Sequence, residues 1–112
     1  MARNQLPLSH YEASMVRLPA RKGEGELLEA VRLVVFGPNF PQRAIEPELL
    51  VGEEVAQQTS IARDQRSIQG FFVKPPPDGQ VIRVRYGDSQ EGELRERFSR
   101  AKIRPLPKNC EE

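Results

Sequence analysis

The amino-acid sequence predicts an all-β fold, an immunoglobulin-like β-sandwich of about seven short strands. Pro and Gly recur along the 112 residues and leave segments of roughly five to ten residues between them, a spacing typical of strands and turns. Several segments alternate apolar and polar side chains, as expected of half-buried strands. Because the segments are short, they leave little room for a helix of average length.

The strongest predicted strand is Leu27–Phe36, whose phase Val31, Leu33, Val35 is wholly apolar. Its opposite phase contains a single charge, Arg32. A strand that is apolar on both faces is expected at the centre of a sheet, covered on most of both sides. The other predicted strands are residues 11–18, 48–51, 59–62, 67–73, 81–86 and 99–104.

Two further segments predict a turn and a short helical turn, respectively. Pro77-Asp78-Gly79 combines a residue of fixed φ, a turn-forming Asp and a glycine able to adopt positive φ, so it predicts a turn. In residues 93–101, Leu94, Phe98 and Ala101 have helical spacing, and one short helical turn before the last strand is the alternative there.

The chain length predicts one domain. Its divisions are expected to be an N-terminal extension with a first strand and a flexible loop (1–26), the sandwich (27–104) and a polar tail (105–112). Hydrophobic residues make up 38% and charged residues 29% of the chain, which predicts a thin core and a charged surface. Most of the seven aromatic residues are expected in that core: Tyr11, Phe36, Phe40, Phe71, Phe72, Tyr86 and Phe98.

Charge and cysteine content restrict the compartment and the partners. The net charge is +1, far from the basic stripe of a dedicated nucleic-acid binder. Cys110 is the only cysteine, which excludes an internal disulfide and fits a reducing compartment. The N-terminus lacks the apolar stretch of a signal peptide, so a cytoplasmic protein is expected, or a secreted one if a signal was removed. No apolar run approaches the ~20 residues of a membrane span.

Residues 31–100 resemble the IPT/TIG family of immunoglobulin-like domains. Val31-Arg32-Leu33-Val34-Val35-Phe36-Gly37-Pro38-Asn39-Phe40 is similar to the family's opening strand and its Gly-x-Asn-Phe turn. Leu49-Leu50-Val51-Gly52, residues 68–73, the turn Pro75-Pro76-Pro77-Asp78-Gly79 and residues 81–86 resemble the elements that follow, and Phe98 resembles the aromatic of the closing strand. The resemblance implies a binding and spacing module and not an enzyme.

Chemistry-bearing residues are scarce. His10, the only histidine, lies beside Ser9 in a polar segment and is expected to be a solvated surface residue. Acidic neighbours of Cys110 make it a poor nucleophile. Asp88, Glu91 and Glu93 lack an EF-hand pattern, so a solvated loop is favoured over a calcium site. No catalytic residue, cofactor site or metal site is predicted.

The candidate binding face is a set of cations in the C-terminal third: Arg83, Arg85, Arg100, Lys102 and Arg104. Strand alternation turns the first two to one side of residues 81–86, opposite Ile82, Val84 and Tyr86. It turns the other three outward from residues 99–104, with Ala101 and Ile103 inward. If the two strands were neighbours, the five cations would share one sheet face suited to phosphates or an acidic protein surface. The competing interpretation is an ordinary solvent-facing surface.

The function expected from these observations is a non-catalytic protein-interaction or structural module, for example one subunit of a larger assembly. An anion- or nucleic-acid-binding domain that uses the arginines is the alternative. A protein partner is favoured over nucleic acid, no membrane partner is expected, and a homo-oligomer would form through an edge strand.

Overall fold

Two five-stranded β-sheets packed against each other form the structure, a computed structural model that describes residues 4–19, 27–40, 46–87 and 90–106. Within those residues the strands are β1 (Asn4–Gln5), β2 (His10–Pro19), β3 (Leu27–Phe36), β4 (Glu48–Val51), β5 (Glu54–Val55), β6 (Gln57–Ile61), β7 (Ser67–Phe72), β8 (Ile82–Tyr86), β9 (Gln90–Glu93) and β10 (Ile103–Arg104). Sheet A has the order β1-β9-β8-β4-β5, and sheet B has the order β10-β2-β3-β7-β6. The predicted all-β sandwich is confirmed.

Strand β3 is the centre of sheet B, as its sequence predicts. It pairs antiparallel with β2 over ten residue pairs and with β7 over six. Val31, Leu33 and Val35 are completely buried between the sheets. The opposite side of β3 has no layer over it within the described residues, so the prediction that β3 is covered on both sides is correct for one face only.

The core lies between the two sheets. Tyr11, Phe40, Phe72, Tyr86 and Phe98 are buried in it, whereas Phe36 and Phe71 are half-buried because they lie on the opposite phase of their strands. At Gly70 of β7 a Cβ atom would lie 2.5 Å from the Cβ of Ala56. Ala56 lies where the chain passes from β5 of sheet A to β6 of sheet B. Position 70 must therefore be glycine, because Ala56 leaves no room for a side chain there.

Five predicted strands agree with β2, β3, β4, β7 and β8 to within one residue at each end, and one prediction is wrong. Instead of a strand over residues 99–104, Arg100–Lys102 form one turn of 3-10 helix, and only Ile103–Arg104 are extended. Lys102 N–H bonds to the carbonyl of Ser99 and closes this turn. Ala101 is consequently exposed and not inward-facing.

Strands from before residue 27 belong to both sheets. Strand β2 pairs with β3 along its whole length, and β1 pairs in parallel with β9 at the edge of sheet A. Three strands were not predicted from the sequence. Strands β1 and β5 have only two residues each, which is too short to show alternation, and β9 contains Gly92, which interrupts the pattern. The loop 20–26 and residues 107–112 of the predicted tail lie outside the described residues.

The turn at Pro77-Asp78-Gly79 has the predicted conformation, with φ of +81° at Gly79. The N–H of Gly79 bonds to the carbonyl of Phe98, and the N–H of Phe98 bonds to the carbonyl of Gln80. The turn therefore reverses the chain direction, and its hydrogen bonds also hold the segment around Phe98 in place. Across the described ranges, no helix has the length and apolar character needed to cross a membrane.

Candidate protein-interaction face

The five candidate cations do not form one surface. Arg83 and Arg85 lie on β8, which is inside sheet A, whereas Arg104 lies on β10 at the edge of sheet B. Arg100 and Lys102 belong to the 3-10 turn that precedes β10. Because β8 and β10 are in different sheets, the condition for a shared arginine face is not met.

Arg83 and Arg85 are ion-paired on the outer face of sheet A. Nε and Nη2 of Arg85 donate to Oε1 of Glu48 at 3.1 and 2.7 Å. Nη1 of Arg83 lies 3.4 Å from Oε2 of Glu91, and its Nη2 donates to the carbonyl of Gly52 at 3.0 Å. Glu93 lies directly opposite Arg83 on the neighbouring strand β9. Glu48, Glu91 and Glu93 therefore neutralise the charges of Arg83 and Arg85.

Arg100 and Lys102 hold the C-terminal segment in place. The Arg100 guanidinium donates to the carbonyl oxygens of Pro76 and Pro75 at 2.9 and 3.1 Å. Lys102 pairs with Glu96, a hydrogen bond that raises the pKa of Lys102, and its Nζ lies 4.5 Å from the centre of the Tyr11 ring. Both cations therefore have structural partners on the chain itself.

A different surface stands out on the outer side of sheet B. Alternation and register place every second side chain of each sheet B strand on this outer side. We call these side chains together the sheet B face. Its apolar members are Val16, Leu18, Leu28, Ala30, Val34, Phe36 and Phe71, and its polar neutral members are His10, Ser14, Gln57, Ser60, Ser67 and Gln69. Its charged members are Glu12, Arg32 and Arg104.

The apolar side chains of the sheet B face lie on both sides of the pair formed by Ser14 and Arg32. Phe36 stacks on His10 with ring centroids 4.6 Å apart and an angle of 7° between the planes. Ala30 is only 1% exposed although it points outward, whereas Leu28 is 48% exposed.

The charges of the sheet B face are not paired with one another. Arg32 donates from Nε to Oε1 of Gln69 at 2.8 Å, and Glu12 and Arg104 are exposed without an ion pair to any described residue. Interfaces between proteins are depleted of charge at their centres and rich in aromatic side chains. The sheet B face has that composition, and the outer face of sheet A does not.

Sequence reasoning missed this face although part of it was visible. The phase Ala30, Arg32, Val34, Phe36 has a single charge, and the sequence therefore predicts a second covered side. Only the sheet order shows that nothing in the described chain covers it.

The remaining sequence candidates form no site in the described residues. His10 is exposed as expected, with its Nδ1 2.9 Å from the hydroxyl of Ser9. Cys110 and Asp88 lie outside the described residues. Among the residues that are described, no three His, Cys, Asp or Glu side chains are placed to hold a metal ion. An open cleft of about 360 Å³ near Gly52 and Gly79 has Arg83, Arg97, Glu53 and Glu93 in its lining, a mixture that favours no one ligand charge.

A scan of the sequence against protein-family models finds no matching family, and searches of curated proteins and of solved structures find no significant match.

Proposed function

We propose that this chain is a non-catalytic protein-interaction module of the immunoglobulin-like class that binds its partner through the sheet B face. The observation that carries the proposal is the contrast between the two outer faces. In a chain with 29% charged residues, the outer face of sheet A has the ion pairs of Arg83 and Arg85 beside Leu50 and Val55. The sheet B face has more apolar members and fewer charges. Exposed apolar faces of this kind are typical of protein-binding surfaces.

The strand order supports the immunoglobulin-like assignment. The strands β2 to β9 can be lettered in chain order as A, B, C, C′, D, E, F and G. With these letters, β2-β3-β7-β6 of sheet B corresponds to the A-B-E-D sheet of that fold, and β5-β4-β8-β9 of sheet A corresponds to its C′-C-F-G sheet. This order is compatible with the IPT/TIG resemblance of residues 31–100, whose members are binding and spacing modules. A fold alone does not specify function, so the proposal depends on the sheet B face.

The anion-binding alternative has less support. Phosphate binding through counterion release needs several cations that are free to contact phosphates together. Arg83 and Arg85 are instead paired with Glu91 and Glu48, and Arg100 is bound to backbone carbonyls. Arg104 lies on β10 of sheet B, in the other sheet from Arg83 and Arg85.

Site-specific photo-crosslinking in cells that express the protein tests the proposal. A photoreactive phenylalanine analogue replaces Ser14, in the middle of the sheet B face, or Glu93, on the outer face of sheet A. We expect protein adducts from position 14 and few from position 93, and we expect Val34→Lys to remove the adducts from position 14. Equal labelling at both positions, or none at position 14, contradicts the proposal.

A further inference from the structure

We infer that sheet B binds an extended segment of its protein partner, which adds as a short strand beside residues 27–30 of β3. The inference rests on the interaction role proposed above and names the conformation of the partner at one end of the sheet B face. It is carried by a gap in sheet B beside residues 27–30, which we call the β3 notch.

The β3 notch exists because β3 is longer than β7. Strand β3 pairs with β2 over all ten of its residues, but it pairs with β7 only from Val31 to Phe36. Strand β7 ends at Phe72, and Pro75-Pro76-Pro77, which have no backbone N–H to donate, follow soon after. Within the described chain, residues 27–30 therefore have a neighbouring strand on the β2 side only.

The backbone of Glu29 directs its hydrogen-bonding groups into the β3 notch. In an antiparallel pair, residues that exchange both backbone hydrogen bonds alternate with residues that exchange none. The N–H of Gly37 bonds to the carbonyl of Arg66 in continuation of the register between β3 and β7, so the odd-numbered residues of β3 face β7. Glu29 is one of them, and no hydrogen bond joins its N–H or its carbonyl to a described residue.

Two exposed apolar side chains flank the β3 notch. Leu28 is 48% exposed, and Val73, at which the chain leaves β7, is 51% exposed. A strand that adds to a sheet gains affinity from its main-chain hydrogen bonds and specificity from the side chains at alternate positions. A partner segment with apolar residues at every second position can therefore contact Leu28 and Val73 while its backbone pairs with Glu29.

The other strand edges are less suited to strand addition. The edge strand β6 has an irregular register between Gln57 and Ser60, and Gln58 has a φ of 54°. The edge strands β1, β5 and β10 are two residues long. Bulged and very short edges resist pairing with another chain, so the β3 notch is the better place for a partner strand.

Amide hydrogen exchange of the free full chain, followed by NMR, tests whether the notch is open. The N–H of Glu29 should exchange at least about tenfold faster than the N–H of Val31, which lies inside the ladder between β3 and β7. A Glu29 amide that is protected as well as that of Val31 already has a hydrogen-bond partner in the free protein, and this result overturns the inference.

Peptides selected on the full chain from a phage-displayed library of random nonapeptides test strand addition itself. We expect the selected peptides to carry apolar residues at every second position and to bind with dissociation constants of about 10–1,000 μM, measured by fluorescence anisotropy. Glu29→Pro removes the N–H that faces the notch and should raise the dissociation constant by about tenfold or more. Glu29→Ala keeps this N–H and should leave the constant within about threefold of wild type.

Arg17→Pro is the matched control for Glu29→Pro. Arg17 lies directly opposite Glu29 on β2, so both prolines enter the hairpin of β2 and β3 at the same level. The two residues exchange no backbone hydrogen bond with each other, and the N–H of Arg17 faces away from the notch. Arg17→Pro should therefore leave peptide binding within about threefold of wild type, and far-UV circular dichroism checks that both variants are folded.

Equal weakening of peptide binding by Glu29→Pro and Arg17→Pro overturns the inference, as does a library that yields no peptide with a dissociation constant below about 1 mM. The crosslinking experiment separates this failure from that of the proposed function. Adducts from position 14 that persist when peptide selection fails leave the interaction role intact and reject strand addition. Absence of adducts from position 14 rejects the proposed function itself.

Discussion

The hydroxyl of Tyr11 accepts a hydrogen bond from the backbone N–H of Ser99 at 2.9 Å. The same hydroxyl donates to the carbonyl of Arg97 at 3.2 Å. Tyr11 belongs to β2 of sheet B, whereas the segment it binds leads from β9 of sheet A to β10 of sheet B. One buried side chain thus fastens the connection between the two sheets.

Tyr11→Phe should lower the free energy of unfolding by about 1–2 kcal/mol, because two hydrogen bonds to backbone groups are lost while the ring stays in the core. Urea unfolding followed by circular dichroism measures the change. Ser99→Ala is the matched control, since it keeps the backbone N–H and should cost far less. A Tyr11→Phe variant as stable as wild type contradicts the structural role of the hydroxyl.

Stability should fall as the pH rises above about 10. Burial raises the pKa of Tyr11 above its ordinary value of 10.0, although the Ser99 N–H and the charge of Lys102 oppose the shift. The unfolded chain then releases the tyrosine proton before the folded chain does. The stabilisation is complete below the unfolded pKa and is lost as the pH rises through the folded one.

Lys102 acts in the same direction, because its pKa is raised by Glu96. Melting temperatures between pH 8 and pH 11 measure the effect. The decline should be less steep in Tyr11→Phe than in wild type. Identical pH profiles for the two proteins speak against a tyrosine with a raised pKa.

Gly79→Val should destabilise the domain by about 1–2 kcal/mol, because a β-branched residue is strained at a φ of +81°. No atom lies within 4 Å of the position that a Cβ would take, so backbone strain alone is responsible. Gly79→Asn is the control and should cost less, since asparagine tolerates this conformation better. Equal unfolding free energies for the Val and Asn variants exclude the strain explanation.

Arg85→Glu distinguishes the two outer faces. It places a carboxylate beside Glu48, and we expect a stability loss of at most about 1 kcal/mol, as is usual for exposed pairs. Photo-crosslinked adducts from position 14 should be unchanged. Their loss in Arg85→Glu would move the interface to sheet A.

Alternation along the chain was enough to predict the all-β class and the strands β2, β3, β4, β7 and β8. The period of two depends only on a residue's own strand, so the local pattern predicts which residues of β8 are buried. The turn at Gly79 was likewise predictable because its conformation is set by local steric limits.

The proposed interaction surface depends on which strands are neighbours. The local phases of Arg83 and Arg104 are as predicted, but β8 and β10 belong to different sheets, so their cations are separated. The apolar outer phase of β3 was visible in the sequence, yet a strand covered on both sides and a strand with one bare apolar face have the same local pattern. Sheet order, which arises from long-range pairing and packing, decided that Val34 and Phe36 are available to a partner.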